Sequence, residues 1–299
     1  MDRRKFLKVS GAAGVTVAWG GSLACATSSG SSASSAAAGT AAASASSFPL
    51  DAVGLQLYTV RTLAEKNLEQ TLQQVAAAGY RLVETHTLYG KAPSELRALL
   101  DKNGLRTVSG HYGLDELEKT PDTVFATAKT LGQEYVVLNW LDPAHRNAEF
   151  YRGFPALLNK FGTQARAAGL RFAHHNHDFE FDTLGGTTPV IDTMIANTDP
   201  ALVSFELDLY WVYKAGADPL RYLEQHPGRV AMIHLKDSTA APQKAMADVG
   251  KGVIEFPKLL AAAKRTGVRY AFVERDDTTD PIATIRASHD YLATLLASR

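Results

Sequence analysis

A short unit recurs along most of this chain: a helical stretch ends in glycine, and an apolar run follows at once. Glycine suits the left-handed position that closes a helix, because it has no Cβ to clash there. A continuous apolar run is typical of a parallel strand that is buried on both faces. The unit is visible in five segments: VAAAGYRLVE, LDKNGLRTVSGH, AKTLGQEYVVLNW, ARAAGLRFAHHNH and AKRTGVRYAFVE.

Three further apolar runs complete a set of eight predicted strands with helical segments between them: VGLQLY, ALVSFELD and RVAMIHLKD. Strict alternation predicts parallel pairing, and eight such units close most simply into a single (β/α)8 TIM barrel of the α/β class. An open doubly wound sheet would carry a glycine-rich loop after its first strand, and LYTVRTL has no glycine. The strands are expected near residues 53–58, 80–84, 105–110, 134–139, 170–176, 202–208, 229–235 and 270–274.

Residues 1–26 have the layout of an export signal. A basic start is followed by a short apolar stretch of small residues and by small-residue cleavage options. Arg3 and Arg4, followed by FLK, resemble a twin-arginine signal, with Asp2 where Ser or Thr is commoner. We therefore expect the protein to be exported in the folded state and to reside in the periplasm.

A flexible linker is predicted over residues 27–47, which are almost entirely Ser, Ala, Gly and Thr and offer little apolar surface to bury. Cys25 is the single cysteine, so the domain beyond the signal has neither a disulfide nor thiolate chemistry. Two processing routes stay open: cleavage after Ala26, or a lipid anchor on Cys25. The barrel is expected over residues 48–299.

The charge balance excludes several kinds of partner. Acidic and basic residues cancel to a net charge of zero, and no long basic run occurs, so a nucleic-acid partner is not expected. Barrels of this size often dimerise, but nothing in the sequence marks an interface, which leaves a homodimer open. A small molecule is the expected partner.

Acidic and histidine side chains follow most of the predicted strands, where a barrel builds its site. Asp208, His234 and Glu274 each end an apolar run, in SFELD, VAMIH and YAFVE. Because the ends of adjacent strands converge in a closed barrel, we expect these three side chains to lie close together. Mixed oxygen and nitrogen donors suit one divalent cation such as Mn, Co, Zn or Mg.

The segment HHNHDFEF, residues 174–181, follows the fifth predicted strand. Side chains alternate along a strand, so His175 and His177 share one face and His174 takes the other. If the small Ala173 points into the barrel, His175 and His177 point inward above it. We predict His175 as the fourth metal ligand, with His177 one layer nearer the substrate.

The order and spacing of these segments resemble the xylose-isomerase-like barrel superfamily, which includes sugar phosphate isomerases and epimerases, inosose dehydratases and endonuclease IV. The resemblance runs from Val53 to about Leu296 and is carried by YRLVE, HHNHDFEF, ELDLYWV, MIHLKDS, VGKGVIEFPKLL and VRYAFVERD. It implies one metal held by an acid on the fifth strand, Asp on the sixth, His on the seventh and Glu on the eighth. Asp208, His234 and Glu274 match by position.

Two departures from this pattern bear on function. His175 stands where many members have the fifth-strand Glu, which in ketose epimerases pairs with the eighth-strand Glu to move protons on opposite faces of the sugar. Trp211 stands three residues after Asp208, where several members have His. A nuclease role is not expected, because a neutral chain lacks the basic groove that DNA requires.

A metal of this kind can polarise a carbonyl and stabilise an enediolate, and a nearby base must then remove a proton from carbon. Glu274, His177 and Glu84 are the candidate bases, and Lys236 could stabilise a developing oxyanion. His111, Trp140, Trp211 and Glu180 are candidates for contacting the substrate or supporting a histidine, and Asp237 is expected to brace the seventh loop.

Three functions follow from these residues. The first is a metal-dependent sugar isomerase or epimerase that acts through an enediolate. The second is a metal-dependent lyase or dehydratase on a keto-sugar or 3-keto-glycoside. The presence of His175 in place of the fifth-strand acid supports this second function. The third is an exported carbohydrate-binding module without catalysis. Export favours an unphosphorylated sugar, because sugar phosphates are chiefly cytoplasmic.

Overall fold

A computed structural model describes residues 48–297. The predicted signal (1–26), with Cys25, and the predicted linker (27–47) therefore lie outside the described residues. Eight strands form the barrel: β1 Val53–Gln56, β2 Leu82–Thr85, β3 Arg106–Tyr112, β4 Tyr135–Leu138, β5 Arg171–His175, β6 Val203–Asp208, β7 Val230–Leu235 and β8 Tyr270–Val273. Every neighbouring pair is parallel, and the sheet closes in the order β1-β8-β7-β6-β5-β4-β3-β2. The predicted (β/α)8 barrel is confirmed.

Helices occupy the outside of the barrel between the strands. Their bounds are α1 Arg61–Ala64, α2 Leu68–Ala77, α3 Pro93–Lys102, α4 Leu114–Lys119, α5 Pro121–Leu131, α6 Ala148–Ala167, α7 Val190–Asn197, α8 Leu209–Lys214, α9 Pro219–Gln225, α10 Phe256–Thr266 and α11 Pro281–Ala297. Short 3-10 segments lie at Leu50–Ala52, Leu57–Val60, Pro143–His145 and Asp178–Phe181. Between Phe48 and Ala297, no helix combines the length and apolarity needed to cross a bilayer.

Glycine ends helices as the sequence pattern predicts. Gly132 closes α5 with φ +80°, and Gly267 closes α10 with φ +92°. Both lie in the left-handed region that favours glycine, and each donates its backbone N–H to the last turn of its helix. The chain can therefore reverse from each helix into the next strand within a few residues.

The core lies in two layers, inside the barrel and between the strands and the helices. The strands are buried along almost their whole length, which is why they read as continuous apolar runs. Helix α6 packs on β5 through Phe161 and Phe172, whose ring centroids are 5.7 Å apart. Strand β3 extends two residues beyond its predicted end, so His111 lies within the strand rather than after it.

The loop after β7 is organised by one carboxylate. Asp237 is fully buried and accepts hydrogen bonds from the backbone N–H groups of Ser238, Gly250, Gly252 and Ile254 at 2.8–3.1 Å. A short antiparallel hairpin, Asp237–Ser238 with Met246–Ala247, forms within this loop. The prediction that Asp237 braces the seventh loop is confirmed.

Candidate active site

A cavity of about 450 Å³ opens at the carboxyl ends of the barrel strands. Glu274 and Asp276, which follow β8, supply its carboxylates. Its other walls carry imidazole, amide and aromatic groups from different strand ends. The lining residues are Tyr58, His86, His111, Asn139, Trp140, His175, His177, Lys236, Glu274 and Asp276.

The three predicted metal ligands at the ends of β6, β7 and β8 do converge. One ligand atom each from Asp208, His234 and Glu274 lies within 4.8 Å of the other two, and all three residues are buried. His234 Nδ1 is 2.7 Å from Glu274 Oε2 and 3.9 Å from Asp208 Oδ2. Asp208 Oδ2 is buried and has no hydrogen-bond partner, although an ion pair reaches it.

That ion pair comes from Lys236, whose ammonium group lies beside two of the predicted ligands. Its Nζ is 3.1 Å from Asp208 Oδ2, 3.0 Å from Glu274 Oε2 and 3.1 Å from Asp276 Oδ1. Burial alone would lower the pKa of Lys236, but these carboxylates hold it well above its usual range. Lys236 is therefore protonated at neutral pH.

The carboxylates around the Lys236 ammonium group also have shifted pKa values. Burial would raise the pKa of Glu274, but Lys236 and His234 hold it below its usual range. Burial raises the pKa of Asp208 despite the lysine. For Asp276, burial together with the negative charges of Glu274 and Asp208 outweighs the lysine, and the pKa is raised to about 7.

His175 and His177 both line the cavity, as the alternation of the fifth strand predicts. Their ring centroids are 5.1 Å apart, and His174 instead packs between Phe154 and Phe205 on the opposite face of the strand. Burial lowers the pKa of both cavity imidazoles well below the usual value, and neighbouring positive groups lower it further. Both rings are therefore neutral at neutral pH.

His175, the predicted fourth metal ligand, has one ring nitrogen toward Asp208 and the other toward Glu206. His175 Nε2 is 3.7 Å from Asp208 Oδ2, while its Nδ1 faces Glu206 Oε2 at 3.0 Å. His175 falls in a set of mutually close ligand atoms with His111, Glu206 and His234, and not in the set of Asp208, His234 and Glu274. His175 as a ligand of the predicted metal stays a prediction.

Glu84 is a fully buried member of a hydrogen-bonded network and does not line the cavity. Its Oε2 lies 2.8 Å from His234 Nε2 and 3.2 Å from His111 Nε2, and it accepts a hydrogen bond from Gln56 at 2.8 Å. Burial alone would raise the pKa of Glu84, but the two imidazoles hold it well below its usual range. The structure thus places Glu84 beneath the cavity rather than in its wall.

The candidate substrate-contacting residues separate into two groups. His111 and Trp140 line the cavity, and the Trp140 side chain is 41% exposed there. Trp211 is not among the lining residues; its ring packs against His177 at 5.3 Å and supports it from behind. Glu180 is fully buried, accepts a hydrogen bond from the backbone of His177 and lies 3.4 Å from His174. It therefore braces the HHNHDFEF segment.

Sequence reasoning missed Glu206 and Asp276. Glu206 is fully buried, two residues before Asp208 on the same face of β6, and its Oε2 lies within 3.2 Å of His111, His175 and His234. An acid inside the apolar run SFELD was the available signal, because an uncompensated buried carboxylate is costly. Asp276, two residues beyond Glu274 on the loop after β8, carried a weaker signal.

These observations define a class of protein: a (β/α)8 barrel with carboxylates, imidazoles and a lysine gathered at the carboxyl ends of its strands. A family model described as "Xylose isomerase-like TIM barrel" matches residues 72–295. The chain belongs to that family.

Known proteins are similar to this chain in sequence or in three-dimensional structure. An inosose dehydratase of Lacticaseibacillus casei is 28% identical over 194 residues, which cover 58% of this chain and 64% of that relative. The chain thus matches less than two thirds of the length of this curated relative. A sugar phosphate isomerase/epimerase structure from Parabacteroides distasonis has a TM-score of 0.68 at 24% identity, covering 82% of this chain and 93% of the other. A zinc-bound IOLI protein has a TM-score of 0.66 at 18% identity, covering 82% and 98%. Both structures support the fold alone.

Proposed function

We propose that the protein is a divalent-metal-dependent dehydratase or lyase that acts on an unphosphorylated keto-sugar or 3-keto-glycoside. The observation that carries this proposal is the division of the cavity into two walls. Its carboxylates, Glu274 and Asp276, both follow β8, while three of its four imidazoles, those of His111, His175 and His177, lie at the ends of β3 and β5, which flank the strand opposite β8 in the barrel. An epimerase that works with two carboxylates needs one on each face of the sugar, whereas an elimination needs a base on only one face.

The residues present fit a divalent cation. Asp208 Oδ2, His234 Nδ1 and Glu274 Oε2 are buried and close enough to share one ion, and two carboxylate oxygens with one imidazole nitrogen are ligands that divalent cations accept. Asp208, His234 and Glu274 would hold the ion, with His175 as the predicted fourth ligand. A bound divalent cation would polarise the substrate carbonyl and so acidify the neighbouring C–H group.

His177 is the proposed base. Its ring is fixed between Phe179, which stacks on it at 5.3 Å, and Trp211, and its lowered pKa keeps it in the unprotonated form that a base requires. In the proposed step, His177 takes the proton from the carbon next to the carbonyl, and the C–O bond on the following carbon then breaks. The imidazolium returns that proton to the departing oxygen, which leaves as water or as the aglycone alcohol.

Lys236 is the proposed partner of the developing negative charge on the carbonyl oxygen. Its ammonium group is held at the cavity wall by three carboxylates, so it needs no rearrangement when the charge appears. Its raised pKa means that it donates a hydrogen bond rather than giving up its proton.

The lining also supports an unphosphorylated substrate. Lys236 is the single lysine or arginine among the residues that line the described cavity, and its charge is already matched by carboxylates. A phosphate group would need at least one further cation or an array of N–H donors. Trp140, exposed at the cavity wall, offers a flat face for a sugar ring instead.

The similarity to an inosose dehydratase favours elimination over isomerisation, and this is why elimination stands first. Aldose–ketose isomerisation remains the second candidate. It needs only one base to move a proton between adjacent carbons, and His177 or Glu274 could do so without a second carboxylate.

The test is to incubate the purified full-length protein, loaded with Mn²⁺, Co²⁺ or Zn²⁺, with unphosphorylated keto-sugars and 3-keto-glycosides and to follow the products by mass spectrometry. A product lighter by one water, or release of the aglycone, supports the proposal. A product of unchanged mass would favour the isomerase. Absence of any conversion with every metal would favour the carbohydrate-binding module.

We also propose that the protein is exported through its twin-arginine signal and works in the periplasm. The arginine pair at residues 3–4 and the small-residue linker support this location. Export of the folded protein would allow the metal to be loaded before secretion.

A further inference from the structure

A second set of ligand atoms adjoins the first and shares His234 with it, and its carboxylate, Glu206, lies two residues before Asp208 on β6 and so one layer deeper in the barrel. His111 Nε2, His175 Nδ1, Glu206 Oε2 and His234 Nε2 form a set whose residues each offer one donor within 4.8 Å of the others. We propose that this set, which we call the inner site, binds a second divalent cation. Three imidazoles and one carboxylate favour Zn²⁺ or Co²⁺, which accept four-coordinate sites with nitrogen donors.

The distances leave room for an ion after a small adjustment. Glu206 Oε2 is 2.8 Å from His111 Nε2, 3.0 Å from His175 Nδ1 and 3.2 Å from His234 Nε2. Tetrahedral bonds to zinc place ligand atoms about 3.3–3.5 Å apart. The three distances to Glu206 therefore need to lengthen by only a few tenths of an ångström.

The charges around the inner site favour a cation. Glu84 and Glu206 are both fully buried, and the Oε1 atom of each has no hydrogen-bond partner. Glu84 Oε2 lies 2.8 Å from His234 Nε2 and 3.2 Å from His111 Nε2, so it faces the same imidazoles. These carboxylates raise the pKa of His111 to about 10 and that of His234 well above its usual value, so two imidazole protons balance them, and one divalent cation would supply the same charge in place of those protons.

His234 connects the two sites. Its Nδ1 faces Glu274 and Asp208, which together with His234 form the first set, called the outer site from here on, and its Nε2 faces Glu206 and Glu84. An imidazole that has lost both ring protons can bind one metal through each nitrogen. His111 and Glu206 are specific to the inner site, whereas Asp208 and Glu274 are specific to the outer one. Substitutions can therefore remove either site separately.

The experiment measures metal stoichiometry in the full-length protein. Chelator-stripped protein is titrated with Zn²⁺ or Co²⁺, desalted and analysed for metal per chain, and the visible spectrum of bound Co²⁺ reports its coordination. We expect two ions in the wild type, one in His111→Ala and in Glu206→Gln, and one in Asp208→Asn. His226→Ala, a histidine at the end of α9 outside both sets, is the matched control and should keep two. Circular dichroism checks folding, and the nearly isosteric Glu206→Gln decides if His111→Ala fails to fold.

Other outcomes overturn the inner site. A single ion in the wild type that Asp208→Asn removes and Glu206→Gln retains would leave the inner residues as a hydrogen-bonded network, with the proposed function untouched. Two ions retained in Glu206→Gln and His111→Ala would place the second ion elsewhere. Two ions lost one at a time as expected, but without turnover of any keto-sugar, would support the inner site and count against the proposed function.

Discussion

The loop after β7 provides the sharpest prediction of stability, because a single carboxylate organises it. In Asp237, Oδ2 accepts from Gly250 and Gly252, and Oδ1 accepts from Ser238 and Ile254. In Asp237→Asn, the amide oxygen can face one pair of N–H groups, but the NH2 group must then face the other pair. Two hydrogen bonds are lost, and two donors are brought against each other.

The magnitude follows from that count. A hydrogen bond to a charged group contributes about 1.5–3 kcal/mol, so losing two should lower the free energy of unfolding by about 3–6 kcal/mol. For a domain of this size, the midpoint of thermal unfolding should fall by an amount on the order of 10 °C. The assay is thermal unfolding followed by circular dichroism, with chemical denaturation as a second measurement.

Asp115→Asn is the matched control, because Asp115 is exposed and pairs only with the exposed Lys119 within α4. Its midpoint should not change. Gly252→Ala should resemble Asp237→Asn, since a Cβ there would lie against Asp237 and the backbone of Ser238. If Asp237→Asn unfolds at the wild-type temperature, the carboxylate does not hold the loop and the reasoning is wrong.

Further predictions concern catalysis, pH, metal and export. His177→Gln should lower kcat about 10²–10⁴-fold without lowering metal content, measured beside His226→Gln as control; unchanged kcat would remove His177 as the base. Because burial and Lys236 hold the pKa of His177 well below 6.5, its base form persists at mildly acidic pH, and kcat/KM should show no acid limb near 6.5; such a limb would contradict this assignment. Chelation should abolish turnover and lower the unfolding midpoint, with both restored by added divalent metal. Replacing Arg3 and Arg4 by lysine should trap the protein in the cytoplasm, as cell fractionation would reveal; continued export would refute the signal.

Much of the site could be predicted because barrel strands bring their ends together wherever they lie in the sequence. Asp208, His234 and Glu274 are far apart along the chain, yet each ends a buried strand, and closure of the sheet makes them neighbours. His175 and His177 were placed correctly in the cavity wall because strand alternation is a local rule.

For other residues the sequence left two roles open, contact with the substrate or support of a histidine, because the choice depends on side-chain direction. Glu180 lies next to the histidines in sequence, but its 3-10 turn directs the carboxylate to His174 and the backbone. Trp211 follows Asp208 closely, but α8 turns its ring behind His177. Glu206 was hidden within an apolar run, and only the neighbouring strands revealed the imidazoles around it.

The sequence by itself determined the architecture, since helix-closing glycines and buried apolar runs are local patterns that allow few arrangements other than a parallel barrel. It also determined which strand ends carry acids and histidines. Only the tertiary structure decided how these groups share charge. The two ring nitrogens of His234 face different carboxylates, and Lys236 lies among three of them, because those contacts join side chains from separate strands. Electrostatic interactions of this kind depend on distance in space, which the order of residues along the chain does not record.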